Sequence, residues 1–165
     1  MATPTRSSRH SARRRNPPRR VRRAPVAPPR VPPKPVRPPA PLAAVDRRLI
    51  EGIALFNSRR FFTCHEVLEQ LWLHTQGRER DFYKGLIQAA VAFHHWSQGN
   101  ASGAMSLYRS SSGYLRRYEP IFLGVDLGRF LQRYTELFGW LRRHPTRYDA
   151  RLVPAIHWAH PPRVA

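Results

Sequence analysis

Between Glu79 and Gln98 there are too many apolar residues for one face of a helix. Phe82, Leu86, Ala89, Phe93 and Trp96 recur at steps of three and four, while Tyr83, Ile87, Ala90 and Val91 carry the apolar surface round toward the other side. A surface helix shows one apolar stripe, and a helix apolar on most sides has to be surrounded. The segment therefore predicts a central helix and requires neighbours to cover it. The neighbours are legible. Leu42, Val45, Leu49, Ile53 and Phe56 predict a first helix over about 43–57, broken at Asn57-Ser58. Thr63-Cys64-His65-Glu66 has the form of a capping box, so a second helix is expected from there to about Thr75, with Gly77 as its stop. Gly99 ends the third helix and Asn100 caps a fourth, which carries Ala104, Leu107, Tyr108, Leu115 and Tyr118 up to Pro120. Asp126 caps a fifth, with the cleanest stripe in the chain from Leu127 to Leu141. No alternating strand is visible. The fold class expected is all-α, a bundle of about five helices built from antiparallel hairpins. A faint echo at an offset of 40 residues supports the hairpins: Phe56-Asn57-Ser58 before Cys64-His65 resembles Trp96-Ser97-Gln98 before Ala104-Met105.

Residues 1–41 obey other rules. They hold 12 of the 29 Lys and Arg, 12 of the 17 prolines and none of the 10 acids. The formal charge of +19 thus divides into +12 for this segment and +7 for the rest. Such sequence cannot bury enough apolar surface to offset its ordering entropy, so a disordered tail with polyproline II bias is expected. Its arginines, within residues 6–37, suit non-specific contact with nucleic acid or an anionic surface through counterion release. An organellar transit peptide shares the composition, but prolines oppose the amphipathic helix it needs, and the expected location is cytoplasmic. No run of 18 apolar residues occurs, so no transmembrane segment is expected. The single cysteine, Cys64, excludes an internal disulfide and a cysteine-built metal site. The expected organisation is tail 1–41, helical domain 42–143 and irregular segment 144–165, where Val153, Ile156 and Trp158 are candidates to dock on the bundle.

Chemistry should come from polar residues on core-facing stripes. His65 and Glu69 are four apart and share a helical face, with Glu66 one step round. Imidazole and carboxylate at that spacing suit one divalent metal such as Zn²⁺, Fe²⁺ or Mn²⁺. On the third helix Lys84, Gln88, Val91 and His95 share a face, while His94 points about 100° away. A glutamine inside the apolar run 85–90 demands hydrogen-bond partners. Trp72 and Arg80 flank the connection and suit the wall of a pocket between helices two and three. The alternative for all these groups is an interhelical hydrogen-bond network that fixes packing.

Taken in order, Phe56-Asn57-Ser58-Arg59-Arg60-Phe61-Phe62, His65-Glu66-Val67-Leu68-Glu69, Trp72, Gly85-Leu86-Ile87-Gln88, Gly99-Asn100, Gly103-Ala104 and Val125-Asp126-Leu127 resemble the domain of unknown function 309 family. Its members are small all-helical proteins, mainly bacterial, labelled predicted metal-dependent hydrolases. The resemblance implies the helical fold, and it implies a polar motif on His65, Glu66, Glu69, Trp72, Arg80 and Gln88, with His94 and His95 as further members.

Two functions follow as expectations. In the first, a metal-dependent hydrolase, His65, Glu69 and His95 hold the metal, its bound water is the nucleophile, Glu66 is the general base and Arg80 holds an anionic substrate. In the second, a non-enzymatic helical-hairpin module binds a protein partner while the cationic tail attaches to nucleic acid or anionic surfaces. Deleting residues 1–41 is expected to abolish salt-sensitive RNA or DNA binding and to leave domain stability unchanged, as filter binding and thermal melting would measure. Binding that persists in the truncated chain would move the basic surface to residues such as Arg116, Arg117, Arg142 and Arg143.

Overall fold

The computed structural model describes residues 44–164, and the expectations for residues 1–41 lie outside the described residues. Five α-helices form the architecture: α1 (Arg47–Asn57), α2 (Phe61–Leu73), α3 (Arg78–Ser97), α4 (Ala101–Leu115) and α5 (Leu127–Leu141). The chain is all-α, as its periodicity predicts, and α3 is the helix the others cover. Phe82, Leu86, Ala89, Ala90, Ala92, Phe93 and Trp96 are all buried along it. Phe93 sits at the centre, its ring 5.3–6.3 Å from those of Phe56, Phe61, Trp96, Tyr134 and Phe138. Contributions from α1, α2 and α5 thus meet on one side chain of α3.

Close approach of the helices depends on small residues. A Cβ at Gly52 of α1 would lie 2.5 Å from Leu68 of α2, and one at Gly85 of α3 would lie 2.7 Å from Leu115 of α4. The 40-residue echo is a repeated turn. Arg59 has φ 63° and Gly99 φ 76°, and the residues that follow, Arg60 and Asn100, share φ −85° with ψ 60° and 74°. Arginine at positive φ is unusual, and Arg59 is held there by its guanidinium, which donates to the carbonyls of Ala150 and Val153 at 3.1 and 2.8 Å.

Several local expectations are corrected. The capping box is not used: α2 starts at Phe61, with Thr63 and Glu66 already inside it and no side chain capping Arg60. The reason is packing. Phe61 lies 5.5 Å from both Phe56 and Phe93, which draws the first turn into the core two residues early. The first helix starts later than expected because Asp46 caps it, accepting from the Arg48 amide at 2.8 Å. Its carboxylate also pairs with the Arg48 guanidinium, and that hydrogen bond holds the acid below its ordinary range. Helix α2 ends at Leu73, and Gly77, at φ 70°, opens α3 instead of closing α2. Asn100 and Asp126 do cap as predicted, accepting from Gly103 and Arg129 amides at 2.8 and 3.0 Å.

Between α4 and α5 the chain makes a short 3₁₀ turn (Arg116–Tyr118) and a hairpin of two-residue strands that the sequence did not announce. β1 (Ile121–Phe122) pairs with β2 (Val125–Asp126) around Leu123-Gly124, both at positive φ, the two-residue turn that fits strand twist. Beyond α5 the chain docks on the bundle. Val153 and Ile156 are buried and Trp158 packs on the core, the three residues expected to dock. Asn57 holds Ile156 by both backbone groups, donating to its carbonyl at 2.9 Å and accepting from its amide at 2.8 Å. Among the described residues no helix is long and apolar enough to cross a membrane.

Replacing Phe93 by Ala removes the ring on which three other helices converge. The expected cost is about 3–5 kcal/mol of unfolding free energy, measurable by urea titration with an unchanged slope. A loss below about 1 kcal/mol would place the centre of the core elsewhere.

Candidate functional site

Four buried side-chain polar atoms have no hydrogen-bond partner among the described residues: His65 Nδ1, Trp72 Nε1, Gln88 Oε1 and Ser112 Oγ. Three belong to residues singled out from the sequence. Native proteins satisfy nearly all buried polar groups, and each exception costs about 1–3 kcal/mol. His65 and Trp72 lie seven residues apart on one face of α2. Two contacts fix that face against α3. The Phe62 ring is 5.7 Å from His94 at one end, and the Arg80 guanidinium stacks 3.8 Å over Trp72 at the other. The two helices run antiparallel, and by rise alone His65 and Gln88 lie within roughly 5 Å of each other along the axis.

His65 is half-buried, and its Nε2 is 3.7 Å from Glu69 Oε2, one turn on. This exceeds hydrogen-bonding distance, yet it places a carboxylate beside one ring nitrogen while the other, Nδ1, faces the protein unpartnered. Such an imidazole, flanked by an acid on one side and free on the other, suits proton acceptance. Phe62, named from the sequence only as part of the stretch 56–62 and not as a site residue, is exposed yet lies 5.9 Å from the His65 ring and bridges it to His94.

The remaining candidates divide between two sides of α3. His94 faces α2. His95 turns away to Asn100, its Nδ1 3.1 Å from the Asn100 amide nitrogen at the start of α4. Lys84 likewise turns to α4, its ammonium 5.1 Å from the Tyr114 ring. Lys84 and His95 therefore lean toward α4 from the face they share with Gln88. The angular step of about 100° per residue separates His94 from His95, and α4 begins immediately beside the latter.

Arg80 has a structural task. Its Nη1 donates to the carbonyls of Trp72 and Thr75 at 2.8 and 3.1 Å, closing the C-terminus of α2 while the guanidinium covers the indole. Glu66 is exposed on the outer side of α2, where it borders a shallow hollow with Thr63, Val67, Glu69 and Gln70. Cys64, next to His65, is fully buried, and burial pushes its thiol up to about 12, so it is no thiolate nucleophile at neutral pH.

For a hydrolytic metal the donor set is short. Catalytic zinc takes three protein ligands. His65 and Glu69 supply two, His95 is turned to Asn100, and among the described residues no three His, Cys, Asp or Glu side chains are grouped to hold a metal ion. Among the described residues the donors beside His65 do not complete the ligand set of a catalytic metal.

Arg80→Met removes two charge-assisted hydrogen bonds and the stacked cation. Unfolding free energy is expected to fall by about 1–3 kcal/mol, with amide exchange quickening first at Leu71–Thr75. An unchanged exchange pattern would free Arg80 for another task.

Residues 49–107, which contain α2, α3 and the stretch carrying His65 to His95, match the family described as "Domain of unknown function (DUF309)". The resemblance read from the sequence is shown over that stretch. The chain is 36% identical over 78 residues to "Uncharacterized protein YpuF" of Bacillus subtilis (strain 168), covering 46% of this chain and 45% of that protein. It is 28% identical over 92 residues to an "Uncharacterized protein" of Aquifex aeolicus (strain VF5), covering 55% of this chain and 28% of that one. The chain therefore spans less than half the length of either relative.

Proposed function

Starting from a chain whose residues 49–107 carry the DUF309 pattern, we propose that the α2–α3 face binds a small polar ligand, with His65 as its proton-accepting group. The observation that carries this reading is the trio of buried, unpartnered atoms on these two helices: His65 Nδ1, Trp72 Nε1 and Gln88 Oε1. They comprise a basic nitrogen, an N–H donor and a carbonyl acceptor, the inventory that a hydroxyl- or amide-bearing molecule satisfies. A packing network would have paired them with one another or with backbone. Glu69 beside Nε2 favours the tautomer with its N–H on that nitrogen, and this tautomer leaves Nδ1 as an acceptor. Hydrolysis is the reaction class this reading carries forward, with His65 drawing a proton from an attacking water and Glu69 stabilising the imidazolium that results. Arg80 and Glu66 have supporting places, one closing the wall and the other on the outer rim.

The sign of two stability changes tests the reading. Trp72→Phe keeps an aromatic ring beside Arg80 and deletes the unpaired donor, and Gln88→Met keeps the length and deletes the unpaired acceptor. Both are expected to leave the full chain as stable as the parent or to stabilise it by up to about 1 kcal/mol in thermal melts. A loss of about 1–3 kcal/mol in each would assign these atoms to packing and overturn the proposal. Elemental analysis after incubation with Zn²⁺, Fe²⁺ or Mn²⁺ covers the metal-dependent reading. Stoichiometric metal that disappears in His65→Ala would replace the metal-free site with a metal hydrolase.

A further inference from the structure

A cavity of about 490 Å³ lies elsewhere, between the outer face of α5 and the docked C-terminal segment. That volume is within the usual span of small-molecule pockets, about 300–1,000 Å³. It shares no residue with the α2–α3 face and lies outside residues 49–107. Positions 129, 133, 136, 137 and 140 of α5 make one wall, and residues 151–155 with His157 make the other.

The second wall is a short 3₁₀ turn (Ala150–Leu152) followed by irregular chain, yet it is fixed from behind. Arg59 holds the carbonyls of Ala150 and Val153, Asn57 holds both backbone groups of Ile156, and the Asp126 amide donates to the His157 carbonyl at 2.9 Å. Val153 and Ile156 anchor it in the core. Both walls are therefore preformed, which lowers the ordering cost of binding.

The chemistry of the lining is divided. Leu137, Trp140, Val153 and Pro154 give an apolar floor, and three guanidiniums stand against one carboxylate on the rim. Glu136 is matched by Arg133 at 3.2 Å, and Arg151 is held by Asp149 through two hydrogen bonds of 3.0 and 2.9 Å. Arg129 lines the cavity, and its side chain has no ion pair or hydrogen bond among the described residues. A planar guanidinium recognises carboxylate, phosphate or sulfonate oxygens by paired N–H bonds.

We propose that this cavity is a binding site for a small organic anion, one acidic group carried on an apolar or aromatic body, with Arg129 taking the anion and the Leu137–Trp140 floor taking the body. The inference stands independently of the α2–α3 reading.

The test uses the full chain and two probes with the same aromatic body, anilinonaphthalene sulfonate and its neutral counterpart phenylnaphthylamine. Binding is followed by probe fluorescence and by the Trp140 indole N–H resonance, assigned with Trp140→Phe. The sulfonate is expected to shift the Trp140 resonance and leave that of Trp72 in place. Arg129→Gln is expected to weaken the sulfonate about tenfold and leave the neutral probe unchanged. Ala155→Trp, which fills the cavity, is expected to exclude both probes at an unchanged melting temperature. The tail's arginines are common to parent and variants, so the comparison removes them. Equal affinity for the two probes, an unmoved Trp140 resonance, or sulfonate binding unaffected by Arg129→Gln would each overturn the proposal. If Ala155→Trp melts early, the Arg129→Gln comparison decides alone.

Discussion

The contact of Phe93 with rings from α1, α2 and α5 governs the arrangement of this protein. A helix apolar on most of its circumference cannot lie on a surface, since exposing it costs about 25 cal/mol for each Å² of apolar area. Four other helices are consequently recruited around α3, and Gly52 and Gly85 let two of the interfaces close to backbone-limited distances. Once α3 is central, its polar residues are forced outward into the two seams beside it. Lys84 and His95 go toward α4, and Arg80 and His94 go toward α2.

That division shapes both sites. The α2–α3 face concentrates groups that the packing leaves unpaired, whereas the α5 cavity depends on a segment with only one 3₁₀ turn of regular structure. The link between the two regions is the turn after α1. Asn57 and Arg59 stand at the start of the motif-bearing hairpin, and both spend their side chains on the C-terminal segment. Arg59 adopts a left-handed conformation where the matching turn has Gly99, and its two carbonyl contacts offset that strain. One turn thus closes the first hairpin and holds the wall of the distant cavity.

Much of the fold was legible because helix-forming sequence writes its burial every three or four residues. The stripe of α5 and the caps Asn100 and Asp126 were found this way. The capping box at Thr63 was misleading because a local signal was outbid by Phe61 entering the core. The hairpin at Ile121–Asp126 escaped notice because four strand residues carry no period to detect. Among the candidate site residues, the facing of His65 with Glu69 followed from spacing alone, since it lies within one helix. The partnering of His95 with Asn100, the capping by Arg80 and the placing of Phe62 over two histidines did not, since each joins different elements.

Residue periodicity alone is enough to set the helices, the buried stripe of each, the central position of α3 and the shared face of His65 and Glu69. These depend on angular periodicity within single elements, which is fixed by backbone geometry before any packing occurs. Only the tertiary structure decided which polar atoms stay unpartnered and which of two adjacent histidines faces α2. It also decided that an irregular C-terminal segment becomes the rigid wall of a cationic cavity. Those outcomes depend on the azimuth of one helix against another and on long-range backbone contacts such as Asn57 with Ile156. No local pattern in the chain encodes them.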